Sequence, residues 1–197
     1  MKYIGDLSSQ DASLLERYAR NANAVLEFGV GGSTQIIAQS ISPQASFTSL
    51  DTDPKWIEVT RGHLSRLGVD ARCQTLPYES WIANPPPSSF DLIFNDGLNT
   101  LRRDFALLTF PLLTVGGVML FHDTRRLRDV RYVLDVVETF FEEIENVHLN
   151  ERVQGASSNI TAVRKKTRET YVDWNLAERR PPWAYGLDEV PEDFWSK

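Results

Sequence analysis

The stretch of sequence that decides the fold is Val25-Leu26-Glu27-Phe28-Gly29-Val30-Gly31-Gly32-Ser33-Thr34. A short apolar run leads into a glycine-rich turn, and an amphipathic helical pattern follows at once over residues 36–41. This order predicts a strand, a tight turn and a helix, which is the usual place of a nucleotide-like ligand in an α/β sheet. Gly29 and Gly31 permit a close approach of the ligand to the backbone, and Ser33 can cap the helix.

Glu27, two residues before the first glycine, bears on the charge of such a ligand. A carboxylate at this place would repel a phosphate, whereas dinucleotide sites hold a pyrophosphate at the helix N-terminus. It would attract the ammonium and sulfonium groups of S-adenosylmethionine. The alternative is a turn that is only structural, with Glu27 at a solvated strand end, because glycine often marks a turn without binding anything.

Length and composition are those of one soluble α/β domain, with 197 residues of which 42% are hydrophobic and 24% charged. The net charge of -6 gives no support to a nucleic-acid partner, which would favour a basic surface. Cys73 is the only cysteine, so no intrachain disulfide indicates secretion. The sequence also shows no signal peptide and no apolar run of membrane-spanning length, and we therefore expect a cytoplasmic protein without a membrane partner.

A second predicted strand, residues 47–50, ends at Asp51, which lies 22 residues after Gly29. This interval is close to the one at which an acid binds the ribose hydroxyls in nucleotide-binding α/β folds, and a carboxylate can accept both hydroxyl hydrogens. Asp53, by contrast, is predicted to cap the next helix, because Pro54 suits the first helical position. The apolar face of that helix is predicted to contain Trp56, Val59, His63, Leu64 and Leu67.

Other elements are predicted around this unit. Ser8 or Ser9 can cap a first helix over residues 8–22. Residues 69–74 are predicted to form a third strand, and residues 144–150 and 159–164 a closing antiparallel pair.

Polar residues follow two further predicted strands. The apolar strand over residues 90–94 leads into Asn95 and Asp96, and the strand over residues 118–121 leads into His122-Asp123. Polar clusters thus end the first, second, fourth and fifth strands. Because the carboxyl ends of parallel strands share one edge of a sheet, we expect these clusters to form one ligand site.

These motifs resemble the class I S-adenosylmethionine-dependent methyltransferases over roughly residues 22–165. The first motif of that family is acid-x-Gly-x-Gly, and residues 90–124 are similar to its macrocin-type and catechol-type O-methyltransferase branch. The residues that match the branch pattern are Asp96, Gly97, Asp104, Gly116, Gly117 and Asp123. The resemblance implies a Rossmann-like α/β fold, with a mostly parallel seven-stranded sheet flanked by helices and an antiparallel closing strand.

The resemblance also implies the activity, which is methyl transfer from S-adenosylmethionine to a small-molecule acceptor, with a hydroxyl as the favoured target. Glu27 would hold the methionine end of the cofactor, the glycine turn its backbone, and Asp51 its ribose. The implied cofactor-binding residues are Glu27, Phe28, Gly29, Gly31, Ser33, Asp51, Thr52, Leu76, Asn95 and Asp96.

On the acceptor side, the resemblance implies catalytic roles for Asp96, Asn99 and His122. Asn99 stands where the branch has a candidate base histidine, and an amide cannot take a proton. His122 could instead be the general base, because its pKa is near neutrality, or it could be structural.

The metal-dependent members of the branch hold a divalent ion, normally Mg²⁺, with the Asp and a closing acidic pair. Here the corresponding set is Asp96, His122 and Asp123, because His122 replaces the first acid of the pair. Mg²⁺ prefers oxygen ligands, and an imidazole suits a softer metal better. Metal dependence is therefore left open.

The sequence divides into a methyltransferase domain, residues 1–166, and an extension, residues 167–197, that is charged and rich in aromatic residues. So many aromatic side chains favour packing against the domain or against a second subunit, as in a homodimer. A lid over the substrate site is an alternative.

Two other functions are carried as alternatives. One is a protein that binds the cofactor without catalysis, which the loss of the histidine at Asn99 favours. The other is a nicotinamide-dependent oxidoreductase.

Overall fold

The computed structural model describes Gly5, residues 7–85 and residues 89–166. Helices and strands alternate along the chain from the first strand to the last large helix. The helices are α1 (Ser9–Ala19), α2 (Gly32–Ser40), α3 (Pro54–Arg66), α4 (Tyr78–Ile82), α5 (Arg102–Thr109) and α6 (Leu127–Thr139). The strands are β1 (Ala24–Phe28), β2 (Ser46–Asp51), β3 (Gln74–Pro77), β4 (Phe90–Asn95), β5 (Leu113–Phe121), β6 (Ile144–His148), β7 (Arg152–Val153), β8 (Ala156–Ser157) and β9 (Thr161–Lys165).

Seven of these strands form one sheet in the order β3-β2-β1-β4-β5-β9-β6. The first five strands in this order, which are β3, β2, β1, β4 and β5, are parallel to one another. Strand β9 pairs antiparallel with both β5 and β6. The strand order reverses between β1 and β4, and this switch point is where doubly wound folds bind ligands. The predicted mostly parallel seven-stranded sheet with a closing antiparallel strand is confirmed.

Side chains alternate between two hydrophobic cores, one on each face of the sheet. Val25 of β1 packs with α1, α2 and α3, whereas the next residue, Leu26, packs with α4, α5 and α6. In β4, Leu92 and Phe94 belong to the first core and Ile93 to the second. This near-continuous run of buried residues is typical of parallel strands that are covered on both faces.

Two predicted elements differ from those observed. The first helix ends at Ala19 rather than at residue 22, and Ser8 is its N-cap in a capping box with Asp11. Residues 70–72 form a short 3₁₀ helix, so the third strand begins only at Gln74.

The predicted apolar face of α3 was correct only in part. Leu64 is buried as predicted, but Trp56 and Val59 are exposed, and Ile57 and Thr60 are buried in their place. At these positions the predicted stripe was displaced by one residue, which rotates a helix face by roughly 100°. Trp56 is therefore free of the core.

Two further predictions concern the C-terminal extension and helices that could span a membrane. The packing of residues 167–197, and with it a homodimer through them, lies outside the described residues. In the described part of the chain, no helix has both the length and the apolar character needed to cross a membrane.

The ends of β1 and β4 are in unusually close contact. The N–H of Asp96 donates to the carbonyl of Phe28 at 2.7 Å. A Cβ on Gly29, whose φ is 105°, would lie 2.5 Å from the carbonyl oxygen of Asp96, and a Cβ on Gly97 would lie 2.5 Å from the ring of Phe28. Neither position has room for a side chain, so glycine is required on both sides of this contact.

We expect Gly97→Ala to destabilise the protein, because its methyl group would overlap a fully buried ring that stacks on Tyr78. Overpacking of this kind costs about 1–3 kcal/mol of unfolding free energy, which urea denaturation would measure. Gly62→Ala is the matched control, since its Cβ would meet only the Arg66 guanidinium at 3.9 Å inside α3. That variant should gain up to about 1 kcal/mol. Equal stability of Gly97→Ala and the wild type would contradict the described contact.

Candidate active site

The carboxyl ends of β1, β2 and β4 surround a cavity of about 170 Å³ at the switch point of the sheet. It combines the glycine turn after β1 with acids from two neighbouring strand ends. The residues that line it include Gly29, Gly31, Ser33, Asp51, Trp56 and Asp96. Five of these six were predicted as site residues from the sequence.

Asp51 is held at the cavity by backbone groups. Its Oδ2 accepts from the N–H of Val30 at 3.0 Å, and its Oδ1 accepts from the N–H of Asp53 at 2.9 Å. Burial raises the pKa of Asp51 above its usual value, and these backbone N–H groups offset only part of that rise. Each carboxylate oxygen can accept a further hydrogen bond, so the carboxylate is fixed in place and still able to receive hydroxyl groups.

Trp56 is a cavity residue that the sequence analysis missed. Its indole N–H donates to the carbonyl of Val30, and a Cβ on Gly31 would lie 3.5 Å from the indole nitrogen. The ring, 36% exposed, therefore stands beside the glycine turn. The available signal was its position three residues after the helix cap Asp53, in the first turn of a helix that follows a strand end.

Glu27 does not line the cavity, contrary to the expected contact with the cofactor. Its side chain is fully buried, and its Oε2 accepts from Thr34 at 2.7 Å and from Ser49 at 2.5 Å. Burial raises the pKa of Glu27 to about 7, despite the hydroxyl groups of Ser33, Ser49 and Thr34 around it. Through these hydrogen bonds Glu27 connects the start of α2 to β2 inside the protein. Because its side chain is fully buried, a ligand could contact it only if the turn moved.

Four other predicted cofactor residues also lie away from the cavity. Phe28 is buried against Tyr78, and Asn95 is buried with its amide donating to the carbonyl of Arg102 at 2.8 Å. Thr52 follows Asp51 but does not line the cavity. Leu76 lines a separate hollow of about 410 Å³ next to α3.

Asp96 connects the cavity to a buried network of charges. Its Oδ1 accepts from Nη2 of Arg102 at 2.7 Å and faces Nδ1 of His122 at 3.0 Å. Oδ2 accepts no hydrogen bond from the residues that the structure describes. This oxygen is the free acceptor of a side chain that is 20% exposed.

His122 is enclosed by carboxylates and is 3% exposed. Its Nδ1 faces Asp96, and its Nε2 lies 3.6 Å from Oδ2 of Asp11 in α1. Burial lowers the pKa of the imidazole, but the carboxylates of Asp11, Asp96 and Asp123 raise it, to about 10. These carboxylates favour the protonated imidazole, which supports the structural role of His122 over the role of general base.

Asn99 does not line the cavity, although it was predicted as a catalytic residue. It lies in the turn before α5, where its backbone carbonyl accepts from the hydroxyl of Tyr132 at 3.0 Å. This hydrogen bond connects the turn to α6.

Asp123 has a positive φ of 62°, which a non-glycine residue rarely adopts. In this conformation its Oδ1 accepts from the amide of Asn159 at 3.0 Å and its Oδ2 from Arg126 at 2.7 Å. The residue is 6% exposed and is part of the network rather than of the cavity wall.

Larger hollows lie elsewhere on the molecule. One of about 630 Å³ is at the amino-terminal edge of the sheet, beside Asn23, Asp91 and Thr114, and one of about 700 Å³ lies between α1 and α2. Neither contains the strand-end acids or the glycine turn. Size alone therefore does not identify the site, and the chemistry favours the smaller cavity.

The doubly wound sheet, the glycine turn and an acid at the end of the next strand define a Rossmann-like nucleoside-binding domain. A family model described as a methyltransferase domain matches residues 26–124, just over half of the 197-residue chain. The chain belongs to this methyltransferase family, as the sequence motifs predicted.

Solved structures share the fold. The O-methyltransferase from Bacillus cereus in complex with SAH is 20% identical, with 81% of this chain and 83% of that chain covered and a TM-score of 0.66. The O-methyltransferase TomG from Streptomyces achromogenes, involved in tomaymycin synthesis and solved with SAM, is 16% identical, with 82% of each chain covered and a TM-score of 0.67. The cofactor-bound protein Rv0187 from MTB is 21% identical, with 83% of each chain covered and a TM-score of 0.66. No curated protein matches the chain.

The charge of His122 predicts a pH dependence of stability. Its pKa rises from 6.5 to about 10 on folding, so its contribution is complete below pH 6.5 and is lost as the pH rises towards 10. We expect the free energy of unfolding, measured by urea denaturation, to fall over this range, because each pKa unit corresponds to about 1.4 kcal/mol. In His122→Asn this fall should largely disappear.

His148→Asn is the control for this measurement, because it removes an exposed imidazole of β6 outside the network. It should keep the wild-type pH profile. A wild-type profile in His122→Asn would show that the carboxylates do not hold a proton on His122.

Proposed function

We propose that the protein transfers a methyl group from S-adenosylmethionine to a hydroxyl group of a small molecule. The observation that carries this proposal is the combination of methyltransferase family membership with a cavity between the glycine turn and Asp51. Two structural neighbours that are O-methyltransferases were solved with SAM or SAH, which favours the same cofactor and the same kind of target here.

The residues at the cavity fit a nucleoside cofactor. Gly29 and Gly31 have no side chains to block it, and Asp51 presents an anchored carboxylate to the ribose hydroxyls. Trp56 offers an exposed aromatic surface beside the turn. We therefore assign cofactor binding to Gly29, Gly31, Ser33, Asp51 and Trp56, with Glu27 supporting the turn from below.

The cavity is smaller than the roughly 300–1,000 Å³ of typical small-molecule sites. Gly5 and Leu7, from the segment before α1, form part of its wall. The complete cofactor would therefore extend beyond the cavity or displace this segment.

When bound, S-adenosylmethionine supplies a methyl group that the acceptor oxygen attacks while the bond from carbon to sulfur breaks. The chain has to align the acceptor with that methyl group and receive the proton of the hydroxyl. We assign Asp96 to the binding of the acceptor, because Asp96 lines the cavity and its Oδ2 accepts no hydrogen bond from the residues that the structure describes. His122 acts behind it by holding Oδ1 of Asp96 through Nδ1.

A small-molecule acceptor agrees with the charge of the protein. The net charge is -6. At the site, Arg102 is already paired with Asp96 and Arg126 with Asp123, so neither arginine is free to bind an anionic acceptor. A polyanionic acceptor would meet the free carboxylate of Asp96 at the cavity.

Asp51→Asn tests the cofactor assignment. An amide keeps one acceptor oxygen in place of two, so it cannot accept from both ribose hydroxyls and from both backbone N–H groups. We therefore expect the Kd of S-adenosylhomocysteine, measured by calorimetry, to rise about 10- to 100-fold, as for the loss of hydrogen bonds worth about 1.5–3 kcal/mol. Asp53→Asn is the matched control, because Asp53 only caps α3, through a hydrogen bond from Lys55 at 2.9 Å. Equal affinities in the two variants would contradict the assignment.

Turnover separates an enzyme from a protein that only binds the cofactor. The wild type would be incubated with S-adenosylmethionine and a set of hydroxyl-bearing small molecules, and methylated products would be detected by mass spectrometry. Binding of S-adenosylhomocysteine with no product from any acceptor would favour the non-catalytic alternative. Tight NADH binding without affinity for S-adenosylhomocysteine would favour an oxidoreductase.

A further inference from the structure

Asp96, His122 and Asp123 lie together like the ligands of a metal ion. One nitrogen or oxygen atom of each lies within 4.8 Å of the others, at the ends of the adjacent strands β4 and β5. Two carboxylates and an imidazole are a donor set that divalent ions accept. The question is whether these donors are free to bind one.

The guanidinium of Arg102, the first residue of α5, lies among these carboxylates. Its Nη2 donates to Oδ1 and to the carbonyl of Asp96, at 2.7 and 3.2 Å. Its Nη1 donates to Asp129 at 3.2 Å and to Asp123 at 3.5 Å, and its Nε donates to the carbonyl of Gly97 at 2.7 Å. All five donors of the guanidinium are thus used.

Three of the four carboxylate oxygens of the candidate metal group are already occupied, and within the described part of the chain only Oδ2 of Asp96 and Nε2 of His122 lack a hydrogen bond. Asp96 uses Oδ1 for Arg102 and His122, and Asp123 uses Oδ1 for Asn159 and Oδ2 for Arg126. A divalent ion would have to break these hydrogen bonds and lie beside a buried positive charge. The residues present do not fit a bound divalent ion.

Burial of its side chain and of its partner Asp129 keeps Arg102 in this position. The residue is 7% exposed, and its partner Asp129 in α6 is 1% exposed. Removing one member of a buried ion pair leaves the other without compensation, which is strongly unfavourable. The site is therefore built around a permanent cation of the chain itself.

We propose that the Arg102 guanidinium takes the place of a divalent metal ion, so that this methyltransferase works without one. Arg102 is a positioning residue: it fixes the backbone of the turn at Asp96 and Gly97 and holds Oδ1 of Asp96, which leaves Oδ2 for the acceptor. The replacement of a metal ion by Arg102 follows from these contacts alone. The role of Arg102 in placing Asp96 for the methyl acceptor rests on the proposed function.

Titration of the wild type with Mn²⁺, followed by electron paramagnetic resonance, tests the statement about the metal. We expect no stoichiometric bound Mn²⁺ up to millimolar concentrations, and no shift of Tm when Mg²⁺ is added. A single Mn²⁺ site of micromolar affinity in the wild type would overturn the proposal. Neither readout needs turnover or cofactor, so this outcome would leave the proposed methyl transfer untouched.

Arg102→Ala tests whether the guanidinium occupies the place of an ion. The substitution removes the internal cation and frees oxygens of Asp96, Asp123 and Asp129. We expect a lower Tm than in the wild type, a gain of Mn²⁺ binding, and partial recovery of Tm with Mg²⁺. If the variant folds only in the presence of Mg²⁺, this also supports the proposal. A folded variant that binds no Mn²⁺, or one that Mg²⁺ does not help, would contradict it.

Arg103→Ala and Arg102→Lys are the controls. Arg103 is half exposed and pairs with Asp135 outside the network, so its loss should neither create a Mn²⁺ site nor make Tm depend on Mg²⁺. Arg102→Lys keeps a positive charge without the planar fork and should also fail to bind Mn²⁺. Metal binding by Arg102→Lys equal to that of Arg102→Ala would show that the charge at this position does not exclude the ion.

Discussion

The contact between the ends of β1 and β4 governs the geometry of the site. Gly29 lies against the backbone of Asp96, and Gly97 lies against the ring of Phe28, at distances that no Cβ could occupy. This contact brings the glycine turn of one strand to the acid of its neighbour across the switch point of the sheet. It places Asp96 beside the glycine turn, and Asp51 joins them from the end of β2, where it accepts from the N–H of Val30.

The charges at the site are balanced within the protein. Asp96, Asp123 and Asp129 surround Arg102, and Asp11 joins Asp96 and Asp123 around His122. Burial raises the pKa of Asp11, but hydrogen bonds with His122, Ser8 and Asn159 lower it, to about 2. These contacts hold the carboxylates in a fixed geometry, and in Asp96 they use Oδ1 and leave Oδ2 without a hydrogen bond from the described residues. The network thus sets the orientation of Asp96, the acid that we assign to the acceptor.

The sequence predicted the placement of the strand ends well, because hydrophobic runs and the residues that follow them are local signals. It predicted Asp51 and Asp96 at one edge, and both line the cavity. It did not predict on which side of the turn Glu27 lies, since that depends on Ser49, which the parallel register of β1 and β2 places beside it. Local sequence does not encode such a neighbour directly.

The sequence left the role of His122 open and placed Trp56 on the wrong face of α3, for similar reasons. The charge of His122 depends on Asp11, which is distant in sequence and reaches it only through the packing of α1. Trp56 was assigned to the core because a helical stripe displaced by one position looks equally apolar. The enclosure of Arg102 by three acids from two strand ends and α6 is likewise a property of the tertiary fold.

The central claim is that the cofactor binds at the switch point, between the glycine turn and Asp51. A crystal structure of the protein with S-adenosylhomocysteine tests it most directly. The account predicts the ribose hydroxyls within hydrogen-bond distance of the Asp51 carboxylate and the sulfur on the side of Asp96. Density for the ligand in another hollow, or a ribose that does not contact Asp51, would contradict it.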